Sequence, residues 1–132
     1  MIETRQLELD DARAAAAAAT REAEANGWKV GISIVDAGGH LILYERMDGA
    51  PPSTARVSFE KAHTAAIFRT ATAGMEDRIA DRPGMMVLPG ATPLKGGVPL
   101  ISGGQVVGAI GVSGVAPHQD HQIAEAGAAR IS

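Results

Sequence analysis

Q-V-V-G-A-I-G-V-S-G-V-A-P-H-Q, residues Gln105 to Gln119, is the stretch on which the fold turns. Val106 to Val112 reads as a buried strand, its β-branched residues interleaved with Gly108, Ala109 and Gly111, where another backbone or a ligand can approach closely. Pro117 suits the first turn of a helix, because its missing N–H has no intrahelical partner there in any case. A strand end, a small polar pivot at Ser113-Gly114 and a helix start therefore meet at one place, which marks it as a candidate ligand site.

Working outward, Val98 to Ile101 and Val106 to Ser113 form a hairpin about Ser102-Gly103-Gly104-Gln105. An earlier pair, Lys29 to Ala37 and His40 to Met47, surrounds Gly38-Gly39, which fits a two-residue turn. Val30, Ile32 and Ile34 face one way, and Leu41 is expected to share a face with Leu43. Helices are expected over Leu9 to Asn26, stopped by Gly27, over a segment capped by Ser53 or Thr54 and running to about Thr70, and from Pro117 to about Arg130. Ala14 to Ala19 is unbroken alanine, so periodicity does not assign the first helix a face. Thr72 to Gly97 is irregular, with a short helix near Glu76 to Ala80, and its methionines make it a candidate lid or pocket wall. The order of elements gives an α+β fold, an antiparallel sheet covered by helices, in a single domain spanning residues 1–132.

Composition narrows the function. Apolar residues make up 45% of the chain, but only two Phe, one Tyr and one Trp are present. Small side chains bury little area each, so a subunit interface is a plausible further source of stability. Twelve basic against fifteen acidic residues give a net charge of -3, with no basic stripe for nucleic acid. The absence of cysteine removes disulfides, thiolate nucleophiles and cysteine-based metal sites. The acidic start M-I-E-T-R-Q-L-E-L-D-D lacks signal-peptide order and no apolar run approaches a membrane span, so a cytoplasmic location without membrane contact is expected.

The chemistry-bearing residues fall in a few places. His63, mid-helix near Phe59 and Ile67, is either a packed histidine or a ligand or acid–base group. Arg46, Asp48 and Lys61 form either an exposed ion-pair set or a cationic grip for a ligand carboxylate. Asp120 sits in a first helical turn, where the dipole alone favours an acid. His40 follows the hairpin glycines and is expected to be exposed; His118 and His121 lack a visible third metal ligand, and no metal site is expected. Lys95-Gly96-Gly97 precedes a strand rather than a helix and lacks phosphate-loop spacing.

V-D-A-G-G-H-L (Val35 to Leu41), R-M-D-G-A (Arg46 to Ala50), E-K-A-H-T-A (Glu60 to Ala65), G-G-V-P (Gly96 to Pro99), G-A-I-G-V-S-G (Gly108 to Gly114), Q-D (Gln119-Asp120) and I-A-E-A-G (Ile123 to Gly127) together resemble the GlcG/HbpS-like family, from the first helix to the C-terminus. The resemblance implies a profilin-like fold, a five-stranded antiparallel sheet between helices, and a homo-oligomer, a dimer or a larger ring or octamer. It also implies a small-molecule pocket, with haem or a related tetrapyrrole as the expected ligand; a related domain follows a cobalamin adenosyltransferase. In that reading His63 is the iron ligand, Arg46 and Lys61 partner propionates, and Ser113 and Gly114 line the pocket mouth. The competing expectation is a small catabolic enzyme acting on a carboxylate such as a ring-cleavage product by deamination, isomerisation or hydrolysis. There Arg46 or Lys61 would hold the carboxylate while Asp120, His63 or His118 moves protons.

Overall fold

The computed structural model describes residues 1–132. Its elements run α1 (Leu9–Ala25), β1 (Gly31–Asp36), β2 (Leu41–Arg46), α2 (Thr54–Ile67), α3 (Thr72–Ile79), a 3₁₀ turn (Pro83–Val87), β3 (Gly97–Ser102), β4 (Gln105–Ser113) and α4 (Pro117–Ala128). The strands make one antiparallel sheet of order β2-β1-β4-β3. It has four strands, not the five implied by the family resemblance. The longest connection, residues 68–96, is spent on α3 and the 3₁₀ turn, and Pro83, Pro89 and Pro93 withhold the amide protons a further strand would need.

Helices cover both faces. Val30, Ile32, Ile34, Ile110 and Val112 pack on α1 and α4 in the main core, whereas Val35 and Ala109 face Ala62, Ala65 and Ala66 of α2. Period-two alternation along β1 and β4 thus supplies two buried faces. Each fully buried isoleucine contributes roughly 1.5–3 kcal/mol. The alanine run acquires a face after all: Ala12, Ala15, Ala16, Ala19 and Ala23 are buried, a helical stripe that periodicity could not single out. Gly127 lets α4 close on that stripe, since a Cβ there would lie 2.9 Å from the Ala15 carbonyl oxygen.

On the opposite face α2 lies almost on the backbone of β4. A Cβ on Gly111 would collide with the carbonyl of Ser58 and with the Ala62 amide. The buried hydroxyls of Ser33 and Ser58 meet at 2.7 Å and satisfy each other there. Ser53 precedes α2 in helical conformation and makes no side-chain cap, contrary to the sequence expectation; Thr54 Oγ1 instead donates to the Pro51 carbonyl at 2.8 Å.

The first hairpin closes differently from its expected two-residue turn. The Asp36 amide donates to His40 O at 2.8 Å and the Gly39 amide to Asp36 O at 3.0 Å, so the loop is Ala37-Gly38-Gly39 with Gly39 left-handed at φ 83°. Asp36 Oδ1 also accepts from the Gly38 and His40 amides. The β1–β2 register jumps from Ile34↔Leu43 to Val35↔Leu41, and this bulge puts Leu41 and Leu43 on opposite faces, so they do not share one. The second hairpin turns as expected through Gly103 and Gly104, both at positive φ. Edge strand β3 carries Pro99, and edge strand β2 ends in Glu45 and Arg46. No helix is long and apolar enough to cross a membrane.

Candidate functional site

The residues singled out in the sequence separate into two places. Lys61 leaves α2 on one face of the sheet and Asp120 begins α4 on the other, yet Lys61 Nζ reaches Asp120 Oδ2 at 3.0 Å. Glycines open the passage between the layers. A Cβ on Gly96 would come within 3.0 Å of Lys61 Cδ and Nζ, and one on Gly97 would strike the Lys61 backbone. Lys61 Nζ also donates to Val112 O at 3.0 Å, and Asp120 Oδ1 accepts from the Val115 amide at 3.2 Å. Both side chains are almost fully buried, 5% and 4% exposed. Burial pushes the Asp120 carboxyl above the usual carboxylate range, opposed by the Lys61 charge, its hydrogen bond and the amides of Val115 and Gly114. Paired and buried, the two side chains form a strut through the sheet and present no free charge to a ligand.

Arg46, Ser113 and Gly114 belong to that end of the molecule. Arg46 and Ser113 both pair with Gly31, so they lie in one row across β2, β1 and β4. Gly114, at φ 142°, packs against Lys29 and Val30. His63 lies past the other end of β1, with Nδ1 3.0 Å from the Gly39 carbonyl oxygen. The length of β1, on the order of 16 Å, stands between. The structure thus unites Lys61 with Asp120 and aligns Arg46 with Ser113, but His63 joins none of them.

Around His63 a distinct groove opens between α2 and the first hairpin, about 560 Å³ in volume and lined by Gly39, His40, Leu41, Ala55, Arg56, Phe59 and His63. The helix provides Arg56, Phe59 and His63 at spacings of three and four, one stripe along its outer side. The bulge in β2 provides Leu41. Phe59 stacks obliquely on His63, ring centres 5.7 Å apart. With Nδ1 donating to the Gly39 carbonyl, the imidazole carries its proton there and leaves Nε2 as an acceptor. Nε2 makes no hydrogen bond and is reached by solvent.

The methionines do not wall this groove. Met75 is a buried residue of α3 and Met86 is exposed on the 3₁₀ turn; neither lines the groove. His118 is exposed, and His121 pairs with Glu125 at 3.0 Å. No group of three or more His, Asp or Glu side chains is placed to hold a metal ion. Sequence reasoning missed Arg56 and Leu41 as groove residues, although the Arg56–Phe59–His63 spacing already marked a single helical stripe. It also missed Arg69. This residue ends α2 in left-handed conformation at φ 56° and donates to Ala37 O at 2.9 Å, tying the helix end to the turn that orients His63.

A four-stranded antiparallel sheet between helix layers, with an apolar groove and one oriented imidazole at a hairpin turn, defines the architecture of an α/β/α domain. Residues 7–129 match the family model described as haem degrading protein HbpS-like, and the chain belongs to this HbpS-like family. It is 45% identical over 103 residues to protein GlcG of Escherichia coli K12, covering 77% of each chain. The crystal structure of a double mutant of HbpS from Streptomyces reticuli superposes with a TM-score of 0.91 at 34% identity, over 100% of this chain and 91% of that one. A complex of PduOC with haem superposes with a TM-score of 0.86 at 29% identity, over 97% and 96%.

Proposed function

We propose that this protein binds haem, or a closely related metallated tetrapyrrole, in the groove between α2 and the first hairpin, where His63 would hold the metal. The observation that carries the reading is His63: a backbone carbonyl fixes Nδ1, the ring borders an apolar groove, and Nε2, on the side of Gly90, makes no hydrogen bond. Histidine ligands to metals are commonly held by such a bond from the second ring nitrogen. The donor set suits the group. Haem iron accepts imidazole, Leu41, Ala55 and Phe59 suit a macrocycle, and Arg56 at the rim, whose Nε donates to Glu60 Oε1 at 2.7 Å, has its terminal nitrogens left for a propionate. When bound, haem would supply an iron centre for ligand binding or redox chemistry. The chain's own part is to orient the imidazole through Gly39 and to shield the ring with Phe59. That PduOC was crystallised with haem, and that the family model is described as haem degrading, supports this reading.

The carboxylate-enzyme reading draws no comparable support, because Lys61 and Asp120 neutralise each other inside the protein. Titration of the purified protein with haemin is expected to give a saturable Soret change at defined stoichiometry. His63→Ala should weaken binding at least tenfold, while circular dichroism confirms an unchanged fold. Nonsaturable spectra, or equal affinity in the variant, would overturn the assignment.

A further inference from the structure

We infer that His40 is a second iron ligand, closing on the groove from the hairpin side so that a ferric tetrapyrrole is held between two imidazoles. The inference rests on the haem reading above and extends it to a residue that reading does not use. Both histidines line the same groove, one from each wall: His63 from α2, His40 from the start of the returning strand. Their rings flank adjacent glycines. A Cβ on Gly38 would stand 3.2 Å from His40 Nδ1 and Cε1, and one on Gly39 would collide with His63 Nδ1.

Each ring has an oxygen near Nδ1, held closely in one case and loosely in the other. His63 Nδ1 faces the Gly39 carbonyl at 3.0 Å, and His40 Nδ1 faces Asp36 Oδ1 at 3.5 Å. Each oxygen favours the proton on Nδ1 and leaves Nε2 as the donor atom, and a carboxylate behind an imidazole strengthens it as a ligand. The two differ in how firmly they are held. His63 is half-buried on a helix, whereas the His40 side chain is 83% exposed on a strand end. His63 is therefore the fixed ligand and His40 the one with room to swing. The methionines, the other residues able to occupy that coordination position, lie outside the groove.

The test is absorption and electron paramagnetic resonance spectroscopy of the haemin-loaded wild type and His40→Ala. The wild type is expected to be six-coordinate and low-spin. The variant should saturate at the same stoichiometry but become high-spin, and added imidazole should restore the low-spin signature. The His40 side chain is 83% exposed, so the fold is expected to be kept, and circular dichroism of the variant checks this. If wild type and variant both bind haemin with identical spin state, the second-ligand inference fails while the haem reading stands. If the wild type shows no saturable binding, the haem reading falls and takes this inference with it.

Discussion

Replacing Lys61 by methionine removes one charge of the strut while keeping most of its volume. The surviving Asp120 carboxylate would then lie 3% exposed without its counter-ion. At the observed 3.0 Å separation the lost attraction is about 5.5 kcal/mol at an effective dielectric of 20. Protonation of the orphaned carboxylate recovers part of that, so the expected destabilisation at neutral pH is about 3–5 kcal/mol, the usual range for breaking a buried pair from one side. The pH dependence has a defined sign. Burial already raises the folded-state value of Asp120 above its unfolded one, and removing the Lys61 charge raises it further. Between the unfolded and folded values the native state holds a proton that the unfolded chain does not, so stability declines as pH rises through that window. In Lys61→Met the window extends to higher pH. The deficit relative to wild type should therefore be small in acid and full at neutral pH. Urea unfolding followed by circular dichroism across that range measures it. The double substitution Lys61→Met with Asp120→Leu, which leaves no buried charge, should recover most of the loss. A Lys61→Met protein within about 1 kcal/mol of wild type at neutral pH, with no pH dependence of the difference, would refute the strut's energetic role.

Two further outcomes follow from the face under α2. Gly111→Ala sets a methyl against the Ser58 carbonyl, a backbone atom with nowhere to move, and should cost about 3 kcal/mol or more, read as a lower urea midpoint at unchanged slope. Ser58→Ala leaves the Ser33 hydroxyl buried and unpaired, a loss of about 1–3 kcal/mol, whereas Ser33→Ala combined with Ser58→Ala should lose less than the single change; equal or greater loss in the double variant would contradict the pairing.

The hairpins were readable because apolar alternation and glycine pairs are local signals. Gly103-Gly104 turned as anticipated, and Val30, Ile32 and Ile34 share a face. Leu41 was not readable, because a bulge is set by how two strands are drawn together and not by either strand's own pattern. The missing fifth strand shows the same limit from the other side: the family resemblance implied it, while the prolines of residues 68–96 argued locally against it. At the site, the sequence marked Lys61, Asp120 and His63 as chemically interesting without disclosing their grouping. Lys61 and Asp120 are 59 residues apart, and their meeting depends on the opening at Gly96 and Gly97, which spacing cannot reveal. His63 and Lys61, two apart on a helix, necessarily point different ways. Arg46 is displaced from the histidine for a simpler reason, since it closes the far end of a strand whose beginning lines the groove.

The two outer strands bear on how the protein behaves when crowded among copies of itself. An open sheet offers unpaired amide and carbonyl groups along both margins, the template from which aggregates grow. Here one margin carries Pro99, which denies an incoming strand one amide, and the other ends in Glu45 and Arg46 and is interrupted by the bulge. Backbone-to-backbone zippering is thereby discouraged on both sides. Contacts between molecules are left to side-chain surfaces, where recognition is selective and reversible.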